Sequence, residues 1–443
     1  MAKHLAAAAL LLGFVFQSAP LSTPTASERL TSLNQQAQAA RQSGDQHAYL
    51  SAALQMQTLL NDSPASAKAV AKAYLRSGDT QAALTTLTHL ADLGQTEDAL
   101  LQGKDADFAA LQNLPAYQSI LKQLTANNAS ISAAETAFLL PDAGLLAEDI
   151  TYDPQSKTFL ITSVLEKKII RVTLQGKASD FAQSPSHWPI FAIKADPAHN
   201  LVWATESAID GFTAAPKSDW GRSAVLCFNL QTGALLRRIE GPAHTALGDM
   251  TLTPDGSPIV TDGDGGGVYK ATGDHLELIN ERDFISPQTP AMLPDGHHAF
   301  VPDYLRGIAI LNLNTGDLKT DQVLWINHDS GKESSGQKSS GKQAALSGVD
   351  GLYFDHGALI LTQNGTSPER VIRLQLDKTM TQVVSEQIIE QSTPTLGDPT
   401  HGVIVGNDFY YIANSGWNQL DEHGDARPGA KLTPARIMRF HLK

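Results

Sequence analysis

Six times along the chain an apolar run, a tight turn and a second apolar run ending on a polar residue recur. The copies span residues 150–163, 190–206, 250–262, 291–303, 352–364 and 403–414. Their turns, such as Asp153-Pro154-Gln155-Ser156, Pro254-Asp255-Gly256, Pro294-Asp295-Gly296 and Asp355-His356-Gly357, hold the small and polar residues that let a hairpin reverse. A hairpin unit repeating every ~40–50 residues predicts β-propeller blades, because one such unit cannot bury its faces alone. Six units predict a six-bladed ring. The last strand, near residues 435–442, leaves the sixth blade one strand short, and residues 136–140 form a lone strand ahead of the first blade. Pairing the two closes the ring and removes a free edge. Insertions at 207–222 and 415–433 fall between the second and third strands of their blades.

Ahead of the blades, residues 27–126 carry Ala and Leu at helical spacing with few β-branched residues. Ser43-Gly44-Asp45 recurs 34 residues later as Ser77-Gly78-Asp79, the period of a tetratricopeptide repeat. Ala71, Tyr74, Gly78, Ala83 and Leu87 fit that repeat's small-residue pattern: the alanines let helices approach, Gly78 turns and Asp79 caps. The expectation is about two and a half helical hairpins, offering either a protein-partner groove or a cap on the propeller. The fold class is therefore α + β and multidomain, an N-terminal α-helical hairpin array followed by an all-β six-bladed propeller. Boundaries are expected at 1–26 for a leader, 27–126 for the helices, then a polar linker, and 135–443 for the ring.

The leader follows from Met1-Ala2-Lys3-His4 and an apolar core over residues 5–16, too short to span a bilayer and shaped like a signal peptide. An exported, periplasmic or secreted protein is expected, with no transmembrane span after the signal peptide. Cys227 is the only cysteine, so no internal disulfide is needed. The net charge of −13 argues against a nucleic-acid partner, which requires a basic stripe. Residues 329–344, rich in Gly, Ser and Lys, read as a surface loop, and their two Ser-x-x-Lys matches as chance.

In a propeller, the start of each innermost strand and the end of the second strand meet at one mouth of the central channel. The starts carry Glu148-Asp149, Gly248-Asp249, Thr289, Asp350 and His401; the ends carry Ser163, Glu206, Asp262, Asp303, Asn364 and Asn414. Carboxylates crowded at one mouth repel unless a cation intervenes, and oxygen ligands of this kind suit Ca²⁺. A divalent cation held by oxygen ligands of this mouth is therefore expected. His401, at the start of an inner strand, is a candidate proton-handling residue, and Glu206, Asp262, Asp303, Asn364 and Asn414 the candidate substrate-binding set. The plain alternative for each of the aspartates is a turn cap or a strand-to-strand bridge. Asp262-Gly263-Asp264 hints at a calcium loop but lacks its closing Glu. There is no Gly-x-Ser-x-Gly, His-Glu-x-x-His or Cys-x-x-Cys motif, which argues against a serine hydrolase.

The blades from about residue 138 to 442 resemble the six-bladed propellers of the senescence-marker-protein/gluconolactonase/luciferin-regenerating-enzyme family. Leu146-Ala147-Glu148-Asp149-Ile150-Thr151-Tyr152-Asp153 is similar to the family's opening Glu motif, and Val349-Asp350-Gly351-Leu352 to its Asp-Gly motif. The resemblance implies that Glu148 is a metal ligand and that Asp350 is both ligand and base. Gly248 and Thr289 stand where the family has asparagines, with Asp249 or Asn364 as candidate replacements. Two functions remain open. One is a metal-dependent lactone or ester hydrolase acting on a small molecule at the mouth. The other is a non-catalytic ligand- or protein-binding scaffold with a tetratricopeptide-like interaction region.

Overall fold

The computed structural model describes residues 23–314, 323–328 and 343–442. The leader's apolar core, most of the Gly/Ser/Lys-rich loop and both Ser-x-x-Lys matches lie outside the described residues.

Helix α1 (Ala26–Ser43) opens on a capping box: the Thr25 hydroxyl accepts from Glu28 N, and the Glu28 carboxylate accepts from Thr25 N at 2.8 Å. It stops at Gly44, whose φ of 76° is a left-handed conformation that costs glycine little. Asp45 then caps α2 (Gln46–Leu59) by accepting from Ala48 N at 2.9 Å. The same device returns one repeat later. Gly78 ends α3 (Pro64–Arg76), and Asp79 accepts from Ala82 N at 2.9 Å to start α4 (Thr80–Asp92). Ala71, Ala83 and Leu87 are fully buried in the cluster that α3 and α4 share with α6 (Pro115–Asn127). A short helix α5 (Asp98–Leu101) and a 3₁₀ turn (Ala106–Leu111) link α4 to α6.

Six sheets follow in chain order. Blade one is Ala147–Asp153, Thr158–Ser163, Lys168–Thr173 and Ala178–Gln183; blade two Ile190–Asp196, Leu201–Ala208, Arg222–Asn229 and Leu235–Glu240; blade three Leu247–Leu252, Pro258–Asp262, Val268–Thr272 and His275–Asn280. Blade four is Ala291–Met292, His298–Asp303, Gly307–Asn312 and Val323–Trp325, and blade five Val349–Asp355, Ala358–Gln363, Arg370–Leu376 and Gln382–Gln391. Blade six combines Gly402–Val405, Asp408–Ile412 and Arg436–His441 with the early strand Glu135–Leu139. That early strand runs antiparallel to the last one, Thr136 opposite Met438 and Phe138 opposite Ile437, so the ring closes as its missing strand required. The polar linker behaves differently from expectation. Ile131–Ser132 adds to blade five beside Glu390 and Gln391, covering part of an outer edge that would otherwise expose unpaired backbone.

The helical array sits on the mouth face. Its partners are the blade-to-blade and second-to-third-strand connections, which all emerge there. Ala26 N donates to Arg282 O (2.8 Å), Asn61 Nδ2 to Arg306 O (3.2 Å), and Gln391 Nε2 to Asn127 O and Ala129 O (2.9 and 3.0 Å). Ile285 and Leu305 enter the apolar cluster of α1 and α2. The two insertions meet on the same face: Thr213 N donates to His423 O at 2.8 Å, and Phe212 packs against Trp417 with ring centroids 5.8 Å apart.

Candidate functional site

Two repeat-encoded devices shape the mouth. The first is a β-bulge at the start of inner strands. In blades one, two, three and five the pairing register shifts between Ala147 and Ile150, Ile190 and Ile193, Leu247 and Asp249, and Val349 and Gly351. A bulge releases a residue from the ladder and re-aims its side chain, and Glu148 and Asp350 are residues so released. The second device is a buried threonine near the end of the second strand. Thr362 Oγ1 accepts from Gly351 N within its own bulge (2.8 Å) and donates to Thr400 O of the next blade; Thr162 does the same with Asp149 N (2.9 Å) and Phe191 O (2.7 Å). Thr205 repeats it with Ala192 N and Gly248 O. Each threonine thus fastens its bulge to the neighbouring blade.

At the centre, Glu148, Asp350 and His401 offer ligand atoms that all lie within 4.8 Å of one another. His401 Nε2 lies 2.5 Å from Asp249 Oδ1 and 3.9 Å from Asp350 Oδ1, while its Nδ1 is 2.8 Å from the Glu148 carbonyl oxygen. Because a carbonyl only accepts, Nδ1 carries a proton and Nε2 faces the carboxylates. All four residues are buried, Glu148 the most exposed at 9%. A ring of neutral donors holds them. Trp417 Nε1 donates to Glu148 Oε2 (2.6 Å), Asn364 Nδ2 to Asp350 Oδ2 (2.7 Å), and Thr289 Oγ1 to Asp249 Oδ1 (2.6 Å). Tyr304 in turn donates its hydroxyl to Asn364 Oδ1 at 3.0 Å.

The electrostatics follow from this crowding. Burial, joined by the charge of Asp350, holds the Glu148 carboxyl well above the ordinary carboxylate range. Burial also pushes Asp350 up to about 7, with Asp249 and Asp398 adding to the rise and His401 and Asn364 opposing it. For His401, burial disfavours the charge, but Asp350, Asp249 and Asp149 outweigh it and raise the imidazole well above its usual value. The cluster therefore holds protons that an added positive charge would displace.

Other expected site residues serve elsewhere. Glu206 accepts from Ser184 Oγ (2.6 Å), Ser186 Oγ (2.7 Å) and Arg238 Nε (3.0 Å). Asp262 caps its own turn, accepting from Gly265 N at 3.0 Å, and holds the incoming strand through Ala246 N at 3.0 Å. Asp303 does both jobs with Arg306 N (3.0 Å) and Ile285 N (2.5 Å). These three were expected to bind substrate. Their carboxylates are instead occupied by backbone and side-chain donors, because every blade must tie the end of its second strand to the connection arriving beside it. Asn414 does a similar task at the base of its insertion, accepting from Arg436 N at 2.7 Å. Of that set, only Asn364 joins the central cluster. Asp149, next to Glu148, turns away to accept from Ile193 N (2.7 Å) and Lys194 Nζ (2.5 Å). Trp417 and Tyr304 were missed by sequence reasoning; both lie in connections, outside the repeating pattern that pointed to the rest.

Fold and site together define a six-bladed propeller with a buried carboxylate–histidine cluster at its mouth. No protein-family model matches the chain, and no curated protein matches it. Solved structures of similar fold include a gluconolactonase from Xanthomonas campestris, 12% identical, covering 71% of this chain and 100% of that one with a TM-score of 0.45. A PQQ-bound aldose sugar dehydrogenase from Streptomyces coelicolor is 14% identical, with 70% and 99% covered and a TM-score of 0.45. A calcium-binding regucalcin from Agrobacterium tumefaciens is 15% identical, with 71% and 98% covered and a TM-score of 0.43. At such identities the chemistry has to come from the site's own residues.

Proposed function

We propose that this chain is an exported, divalent-metal-dependent hydrolase of lactones or related esters, working at the propeller mouth. The observation that carries the reading is the convergence of Glu148, Asp350 and His401 within 4.8 Å, with Asp249 against the imidazole. The donor set fits a cation: anionic oxygens and one imidazole whose far nitrogen is already committed to a carbonyl, the usual support for a ligating histidine. His401 makes the set less like a pure oxygen cage, which moves the preference from Ca²⁺ toward Zn²⁺, Mn²⁺ or Fe²⁺. Such a cation would polarise the carbonyl and acidify a bound water. Asp350, a buried carboxylate 3.9 Å from His401 Nε2, is the group placed to take and return a proton. Asn364 and Trp417 orient the carboxylates; Thr289 holds Asp249.

The test is metal analysis of the purified protein, followed by a lactone and ester hydrolysis screen with and without chelator. Chelator-sensitive hydrolysis that is lost in Asp350→Asn is the expected result. A second reading, a non-catalytic scaffold binding a small ligand or a protein, is favoured by the depth of the cluster and by the helices and insertions covering the same face. It is preferred if neither metal uptake nor hydrolysis is found.

A further inference from the structure

The structure assigns Trp417 as a positioning residue that ties the cap formed by the two insertions to the metal ligand Glu148; this rests on the metal reading above. Trp417 sits 269 residues from Glu148 in sequence, on the insertion of blade six. Its indole N–H donates 2.6 Å to Oε2 of the buried Glu148, a charge-assisted bond when the carboxylate is ionised.

The indole itself is held by the other insertion and by blade two. Its ring lies parallel to Phe191, 6.5 Å between centroids and 8° apart in plane, and it contacts Phe212. Phe212 is locked in turn. Trp220 Nε1 donates to its carbonyl at 3.2 Å, and a Cβ added to Gly424 would fall 2.0 Å from the Phe212 ring, so the opposite insertion is seated directly against it. Thr213 Oγ1 adds bonds of 3.0 Å to His423 O and Asp425 Oδ1. Each insertion therefore needs the other to present Trp417, and Trp417 sets one oxygen of Glu148. Cap seating and metal affinity become one property: a ligand that parts the insertions loosens the cation, and the cation holds the insertions together.

The experiment is calorimetric titration of chelator-treated full-length protein with Zn²⁺, Mn²⁺ and Ca²⁺. Trp417→Phe keeps the ring and its packing but deletes the N–H. It is expected to weaken metal binding by about 10–100-fold, the usual effect of losing a partner behind a metal ligand, with a single cooperative melting transition retained in the absence of metal. Trp417→His keeps an aromatic N–H donor and is expected to recover part of the loss, a pattern that mere packing would not produce. Trp220→Phe, which removes one hold on Phe212 but leaves the indole bond to Glu148 in place, is expected to weaken metal binding less than Trp417→Phe does. Wild-type affinity in Trp417→Phe overturns the inference while leaving the metal site standing. Equal losses in Trp220→Phe and Trp417→Phe also overturn it, since the cap's fold and not the indole bond would then be responsible. Wild type that takes up none of the three metals removes both the metal reading and this inference.

Discussion

At the scale of single residues, the mouth is an arrangement of like charges kept together by neutral donors and one imidazole. Asp350 has its carboxyl raised from 3.8 to about 7, so in the metal-free protein the folded state holds a proton that the unfolded chain releases. Stability from that proton is present below the unfolded value and is lost as pH rises through about 7. His401, also raised, loses its contribution in the same direction above its ordinary value. Metal-free protein is expected to be less stable at pH 8 than at pH 6, by roughly 1–1.5 kcal/mol for the Asp350 proton alone. Chemical denaturation at the two pH values checks this, and Asp350→Asn should remove that share of the difference. Divalent metal should reverse the trend, since a cation competes with the protons. Glu148→Gln and Asp350→Asn are each expected to weaken metal uptake in the same titrations; uptake equal to wild type in both would place the site elsewhere.

At the scale of elements, the buried threonines join the ring's parts. Thr362→Val keeps the shape of the side chain while leaving Gly351 N and Thr400 O without their partner in a fully buried setting. A cost of about 1–3 kcal/mol is expected, read as a lower denaturation midpoint with unchanged slope. Removing residues 135–139 should do more. The strand pairs along Arg436–His441, and its loss would open the sheet edge and uncover the side of blade six where Phe138 packs. Ala71→Trp should overpack the α3–α4 contact by about 1–3 kcal/mol, because Ala71 is fully buried there.

At the scale of the whole molecule, the helices and the ring share hydrogen bonds, an apolar cluster and a common face. A single cooperative melting transition is expected for the full chain, and Ala71→Trp should shift all of it. Two separate transitions in calorimetry, with only the first moved by the substitution, would show instead that the helices stand alone.

Much of this molecule was legible along the chain. Hairpin turns and alternating apolar runs depend on neighbouring residues, so the blades, the two insertions and the paired Gly44-Asp45 and Gly78-Asp79 turns could be read locally. The need of a closed sheet to leave no edge led to the pairing of the first strand with the last. Glu148, Asp350 and His401 were also visible, because repeat position tells which residues begin inner strands. Repeat position could not separate a carboxylate facing the channel from one capping a turn. Glu206, Asp262 and Asp303 occupy the ends of second strands, yet nearby donors satisfy them. The bulges that release Glu148 and Asp350 leave no mark in the apolar pattern. Nor could any local signal bring Trp417 to Glu148, or seat the helices on the mouth. Local sequence determined the repeating unit, since turns and strand alternation are short-range physics; the tertiary structure alone decided which polar groups are left to do chemistry, since that depends on partners brought close by closing the ring.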